Sequence, residues 1–317
     1  MALYQGVELK ISSGFAGTTM MTVERLQGVN FGFDFQRADV RQLNRFRPDI
    51  NRPTMNYTPV TLSFDYIKGD SMVESVLGLT NPTGVICGIT NSKALAGYGM
   101  RNFEIWQSPL ESNNYVGQFN LSSGVLNSYS LAASVGDFAK TSLSFQNFDI
   151  GWVANSTAKG NAPTYNGIPV RSQDIQITGI NFSGFGVSGF ALQSFNLGIN
   201  ISRSETMQIG SKFPTERQIV DATATLQVQG FIEGGNSTLT GFGSYDCGAA
   251  TNGSIYITLL PSCGATPAMT YRAINPYFQG MSQNNTVGNF ASVDLSFIIP
   301  LPISAHETGS ASNLIIS

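Results

Sequence analysis

Asp34 and Asp65 are the first residues along the chain whose type and placement could do chemistry. Each falls on the polar side of an alternating segment. Two carboxylates facing each other across paired strands are the equipment of a glycosidase. The solvated face of a sheet would present the same residues, and a comparison within the chain, given below, favours that plainer reading. Gly184-Phe-Gly-Val-Ser-Gly189 matches the G-x-G-x-x-G of dinucleotide-binding loops. That loop must open a helix whose N-terminus holds the pyrophosphate. The strand-like run Phe190 to Ile201 follows instead, so the segment reads as a glycine-rich hairpin. His306 is the only histidine, so a metal site built on histidines is excluded by count, and neither HExxH, DxDxDG nor GxSxG occurs. Cys87, Cys247 and Cys263 have no zinc-type spacing and point to a reducing compartment. No catalytic, cofactor-binding or metal-binding residue is expected, and the chain is not expected to be an enzyme.

The cations are grouped. Arg37, Arg41, Arg45, Arg47 and Arg52 crowd one segment, and Arg203, Lys212 and Arg217 recur in a second. Arginine could hold phosphate, pair bidentately with carboxylates of an adjacent subunit, or be solvated. Asp39 and Asp49 lie within the first group and weaken its pull on phosphate, so contacts between subunits are the expected role. Net charge is −3, and residues 1–165 carry 12 acidic and 12 basic side chains against 8 and 5 in the remainder. Nothing here grips nucleic acid by bulk charge.

The elements that must position these residues are strands. Val29, Phe31, Phe33 and Phe35 alternate with Asn30, Gly32, Asp34 and Gln36. Val60, Leu62, Phe64 and Tyr66 alternate with Thr61, Ser63 and Asp65. Phe195, Leu197, Ile199 and Ile201 alternate with Asn196, Gly198, Asn200 and Ser202, and Leu226 and Val228 with Gln227 and Gln229. Period two with one apolar side is a strand half on a core and half in water. Segments 7–12, 103–107, 141–150, 174–180, 255–260 and 291–299 are further strand candidates. One helix is expected over Asp70–Leu79, with Asp70 as N-cap, Met72, Val73, Val76 and Leu77 on its inner side and a stop near Gly78.

The chain also contains itself twice. VGDFAKTSLSF (135–145) and VGNFASVDLSF (287–297) share seven of eleven positions at an offset of 152. LQGVNFGFDFQR (26–37) and LQSFNLGINISR (192–203) share Leu, Gln, Asn, Gly and Arg at an offset of 166. At the latter offset Asn200 and Phe231 stand where Asp34 and Asp65 do, so the carboxylate pair is not repeated. A repeat of this size means tandem domains: 1–153, a polar linker 154–169, a second domain 170–302 and a C-terminal tail 303–317. In the tail, Leu314, Ile315 and Ile316 are expected to dock on a neighbour. The expected class is mostly β: two tandem, internally duplicated antiparallel sandwich or barrel domains, each with at most one short helix.

Composition suits assembly. Only 12% of residues are charged, while 42% are hydrophobic and 34 are glycine. A neutral, hydrogen-bonding surface tolerates burial against other subunits better than a densely charged one. The start, MALYQGVELKIS, lacks the basic and apolar runs of a signal peptide, and no stretch of 18 apolar residues occurs, so neither secretion nor a transmembrane helix is expected.

The run Gln27 to Arg37, a loop through Pro48, the strand Val60 to Ile67 and the short helix after it resemble, in that order, the tube domain of the tail-tube proteins of long-tailed bacteriophages. Gln193 to Arg203, the loop with Gly210, Pro214 and Arg217, and Thr223 to Ile232 repeat the arrangement. The resemblance implies a structural virion protein, assembled in the host cytoplasm, whose rings of six domains stack into a conduit for DNA. Three chains of two domains would close such a ring, and a closed ring has no exposed strand edge. Four strands per domain give about 24 strands and a backbone diameter of roughly 48 Å. Side chains would narrow the lumen to roughly 35–40 Å, against roughly 20 Å for duplex DNA. The expected lumen residues are Asn30, Asp34, Gln36, Thr61, Ser63, Asp65, Asn196, Asn200, Gln227 and Gln229, none of them basic. The arginine-bearing loops would reach neighbouring subunits or rings. The family further implies tape-measure, terminator and baseplate partners, no cofactor, and passage of DNA without specific binding. Competing readings are a distal-tail or baseplate ring component, a head decoration protein, and a carbohydrate-binding β-protein.

Overall fold

A computed structural model of the protein describes residues 4–12, 20–33, 59–80, 100–109, 114–154, 167–180, 190–206, 208–209, 214, 216–232, 253–262, 265–284, 291–301 and 313–317. The described chain is mostly β and antiparallel, its sheets are open rather than closed into barrels, and it has one short helix. The first half supplies β1 (Tyr4–Ser12), β2 (Met20–Thr22), β3 (Leu26–Phe33), β4 (Val60–Ile67), α1 (Met72–Leu77), β5 (Arg101–Pro109), β6 (Gly117–Ser134), β7 (Lys140–Asn147) and β8 (Asp149–Ala154). The second supplies β9 (Ile175–Thr178), β10 (Phe190–Thr206), β11 (Glu216–Ile232), β12 (Ser254–Leu259), β13 (Met269–Ile274), β14 (Tyr277–Asn284), β15 (Ser292–Pro300) and β16 (Leu314–Ile316).

Eight strands run edge to edge in the order β3-β4-β7-β6-β10-β11-β15-β14. The first four come from one half and the last four from the other, joined where β6 pairs β10. The N-terminal part of β6 leaves this sheet for another, β2-β1-β5-β6-β8. In the second half a separate four-stranded sheet, β9-β12-β13-β16, takes that place. Apolar residues of all these sheets form one buried cluster, with Leu62, Phe145, Leu226 and Phe297 from the long sheet and Leu9, Ile257 and Tyr271 from the others.

The repeat extends to strand register. Gly28 faces Asp65 as Ser194 faces Gln229, and Ser63 faces Ser144 as Gln227 faces Ser296. The counterpart of Asp65 is therefore Gln229, not Phe231 as a constant offset implies, because the second loop between the paired strands is two residues shorter. The Thr61 hydroxyl donates to the Gly32 carbonyl, and the counterpart Thr225 hydroxyl oxygen lies 3.3 Å from the place a Cβ would occupy on Gly198. β6 and the β13–β14 segment correspond at an offset of 152. Ser123 (φ 54°) and Asn275 (φ 48°) take the left-handed conformation at matched places. The register then slips around Asn127 and again around Gln279, also matched. Two bulges at one place in two copies bend two strands alike.

Several expectations change. The 141–150 segment divides between β7 and β8, which pair with different stretches of β6. α1 is shorter than expected: Ser71 occupies the N-cap, although the Asp70 carboxylate still accepts the Met72 N–H at 3.1 Å. Gly78 ends the helix in the left-handed conformation, where glycine meets no Cβ clash. The inner side is Val73, Glu74 and Leu77, while Met72 faces solvent. Leu314, Ile315 and Ile316 dock on their own chain, as β16 beside β13, because an apolar strand there completes the sheet edge.

Candidate functional site

The outer side of the eight-stranded sheet is the surface the chain builds most deliberately. Alternation puts apolar residues of β4, β7, β10, β11 and β15 into the core and small polar ones on the opposite side. Asn30, Ser63, Ser144, Ser128, Asn200 and Thr223 stand side by side across six strands. The next level aligns Asp65, Ser142, Ser130, Gly198 and Thr225, and the one beyond it Lys140, Ala132, Asn196, Gln227 and Ser296. An open groove of about 910 Å³ lies on this side near Ser130, Asn196, Gln227, Gln229 and Asp294.

Of the expected lumen residues, Asn30, Thr61, Ser63, Asp65, Asn196, Asn200, Gln227 and Gln229 share this side, and Asn30, Thr61, Ser63, Asn196, Asn200, Gln227 and Gln229 are exposed. Asp34 and Gln36 lie outside the described residues. Sequence reasoning missed Lys140, which sits among these polar residues. The side expected to be without cations therefore carries Lys140, beside Asp65, Asp221, Asp294 and Glu205. Lys140 starts a strand of its own rather than either of the two repeated hairpins, which is why attention to those hairpins passed over it.

The arginines fare differently. Arg37, Arg41, Arg45, Arg47, Arg52 and Lys212 lie outside the described residues, and Arg217 is placed only by the backbone of β11. Arg203, expected at a contact with another subunit, is engaged within the chain: its guanidinium donates to the Leu126 carbonyl of β6. It thus clasps the joint between the two halves.

A buried polar cluster stands at the same joint. The Lys68 ammonium pairs with the Glu74 carboxylate, and both are buried. The Tyr66 and Tyr129 hydroxyls donate to Glu74 Oε1 at 2.8 and 2.9 Å, and the Tyr129 and Tyr271 hydroxyls share a hydrogen bond of 2.6 Å. Burial, reinforced by Glu74, pushes all three phenols well above their ordinary pKa. Burial lowers that of Lys68, and Glu74 opposes the shift. The cluster is sealed, so it fastens elements rather than meeting a ligand. Tyr271 belongs to the second half and its partners to the first.

Between the two sheets of the first half, Phe119 packs against Phe31 of β3 and Trp152 of β8 at centroid distances of 4.7 and 4.5 Å. The sequence keeps these three rings far apart. Among the described residues no group of three or more His, Cys, Asp or Glu could hold a metal, and no helix is long and apolar enough to cross a membrane. No known family matches this chain, and no curated protein matches it.

Proposed function

We propose that this chain is a structural protein of a virus particle, the major tube protein of a long bacteriophage tail. Three chains form a ring, and rings stack into a conduit for DNA. The observation that carries this reading is the eight-stranded sheet with one polar side. Three such sheets supply about 24 strands, enough for a barrel roughly 48 Å across at the backbone. Asn, Ser, Thr and Gln on the lumen side, with Asp65, Asp221, Asp294 and Glu205 beside Lys140 among the described side chains, give DNA no array of cations to displace its counterions. A wall of that kind lets a polyanion slide. The arginine-bearing loops reach neighbouring subunits or rings, and tape-measure and terminator proteins cap the assembly.

The test is negative-stain electron microscopy of the purified chain together with its assembled mass. Rings or tubes with a central hole, built in multiples of three chains, support the reading. Solid particles, or rings of another stoichiometry, sink it.

A further inference from the structure

Among the described residues, the buried charged side chains are Lys68, Glu74 and Asp174. Asp174 pairs with Arg171, whose side chain is half exposed and reaches water. Lys68 and Glu74 have no such outlet. Both are closed off from solvent, and each is the other's counter-charge. Their facing atoms, Lys68 Nζ and Glu74 Oε2, touch, yet neither makes a hydrogen bond. Two charges taken out of water are costly to keep unless hydrogen bonds satisfy them as well.

The backbone holds the two residues in place. The Lys68 N–H donates to the Ala139 carbonyl at 2.8 Å, and the Lys68 carbonyl accepts the Val170 N–H at 2.9 Å. Glu74 sits in the first turn of α1, and its carbonyl accepts the Leu79 N–H at 2.8 Å. The two oxygens of the Glu74 carboxylate have different neighbours. Oε1 accepts from the Tyr66 and Tyr129 hydroxyls, while Oε2 meets the Lys68 nitrogen. With its proton committed to Glu74, Tyr129 accepts in turn from Tyr271 at 2.6 Å. A fixed amine, an acyl carbon beside it and two O–H donors on the oxygen where charge would gather are the parts of an acyl-transfer site. Burial lowers the pKa of Lys68 and so favours the neutral amine, the form that attacks carbon.

We propose that Lys68 and Glu74 condense into an amide, an isopeptide bond between their side chains that ties the end of β4 to α1. One proton passes from the Lys68 ammonium to Glu74 Oε2. The neutral Nζ then attacks Cδ, and negative charge gathers on Oε1 beneath the Tyr66 and Tyr129 hydroxyls. The Nζ–Cδ bond forms and the Cδ–Oε2 bond breaks. Oε2 leaves as water, carrying the proton it received and a second one from Nζ. No oxidant, reductant or further reactant is needed. A cavity of about 10 Å³ lined by Tyr66, Asp70 and Val73 borders the cluster, room for about one water molecule. The reaction removes both buried charges and leaves a neutral amide whose oxygen keeps the two tyrosine hydrogen bonds. Nothing in this chemistry depends on assembly into a tube.

Mass spectrometry of the purified full-length chain, folded and then denatured, tests it. After allowance for the initiator methionine, the chain should be lighter than its sequence by one water. Peptide mapping should confine the loss to the fragment carrying residues 68–74, and a lysine-specific protease should fail to cut after Lys68. Lys68→Arg keeps a cation but offers no amine, and it should restore the full sequence mass. An unmodified chain at full sequence mass overturns the proposal, as does cutting after Lys68. A loss of water that maps to another fragment, or that persists in Lys68→Arg, also overturns it. The decisive reading is made on the unmodified chain, so a Lys68→Arg protein that fails to fold leaves the test intact.

Discussion

Glu74 is where residue-scale reasoning from sequence goes furthest astray. In DSMVESVL it reads as the polar side of a short helix, yet it is buried beneath Tyr66, Tyr129 and Lys68. The signal that could have found it was Lys68, a second charge six residues away with no apolar reason to stay out of the core. Removing one member of a buried ion pair leaves the other charge stranded, so Glu74→Ala should cost about 3–5 kcal/mol in urea unfolding. Alkaline pH probes the same place. The phenols of Tyr66, Tyr129 and Tyr271 have raised folded pKa values. Above pH of about 10 the unfolded chain therefore releases protons that the folded chain keeps. Their contribution is whole below that pH and is lost as pH climbs toward the folded values. Lys68, shifted downward, acts oppositely just below its ordinary pKa. The urea midpoint should fall above pH of about 10, and Tyr271→Phe should flatten that fall, which parallel titrations of the two proteins would measure.

At the scale of elements, alternation made β3, β4, β10 and β11 legible, because each has one side in the core and one in water. β6 was not legible. GQFNLSSGVLNSYSLAAS is rich in Ser, Asn and Gly, and the strand changes sheets partway, so no single period describes it. Ser123 and Asn275 take the left-handed conformation at matched places between the two sheet regions. Asparagine tolerates that conformation and β-branched residues do not. Asn275→Val should cost about 1–2 kcal/mol, with Asn275→Gly near neutral, as urea midpoints would report. The short β16 escaped notice for another reason: three apolar residues near a chain end look like a tail until β13 supplies the neighbour they need.

At the scale of the molecule, the internal repeat was legible from eleven residues, and the correspondence of register was not, since the loops differ in length between copies. The polar side of the long sheet was legible for its hairpins, while Lys140 emerged only once β7 lay between β4 and β6. Asn30 and Asn196 lie on that side, exposed. Asn30→Lys with Asn196→Lys, repeated around a ring, would line it with cations, so particles carrying the pair should assemble normally and deliver DNA more slowly. Unchanged delivery kinetics in a DNA-release assay would count against a lumen role for this side.

The matched bulges at Asn127 and Gln279 have a geometric meaning beyond either strand. In the proposed ring each chain is a link, and what a string of links becomes depends on the angle each one turns. The two bulges sit at matched places, one per half, so the same local bend is written twice in every chain. When the sum over links comes to a full circle, growth stops of its own accord. When it falls short or overshoots, the same contacts wind into an open coil. On the proposed ring, substitution at Asn127 and Gln279 is expected to change the number of subunits in a circle before it changes the strength of any contact, which the assembled mass would report.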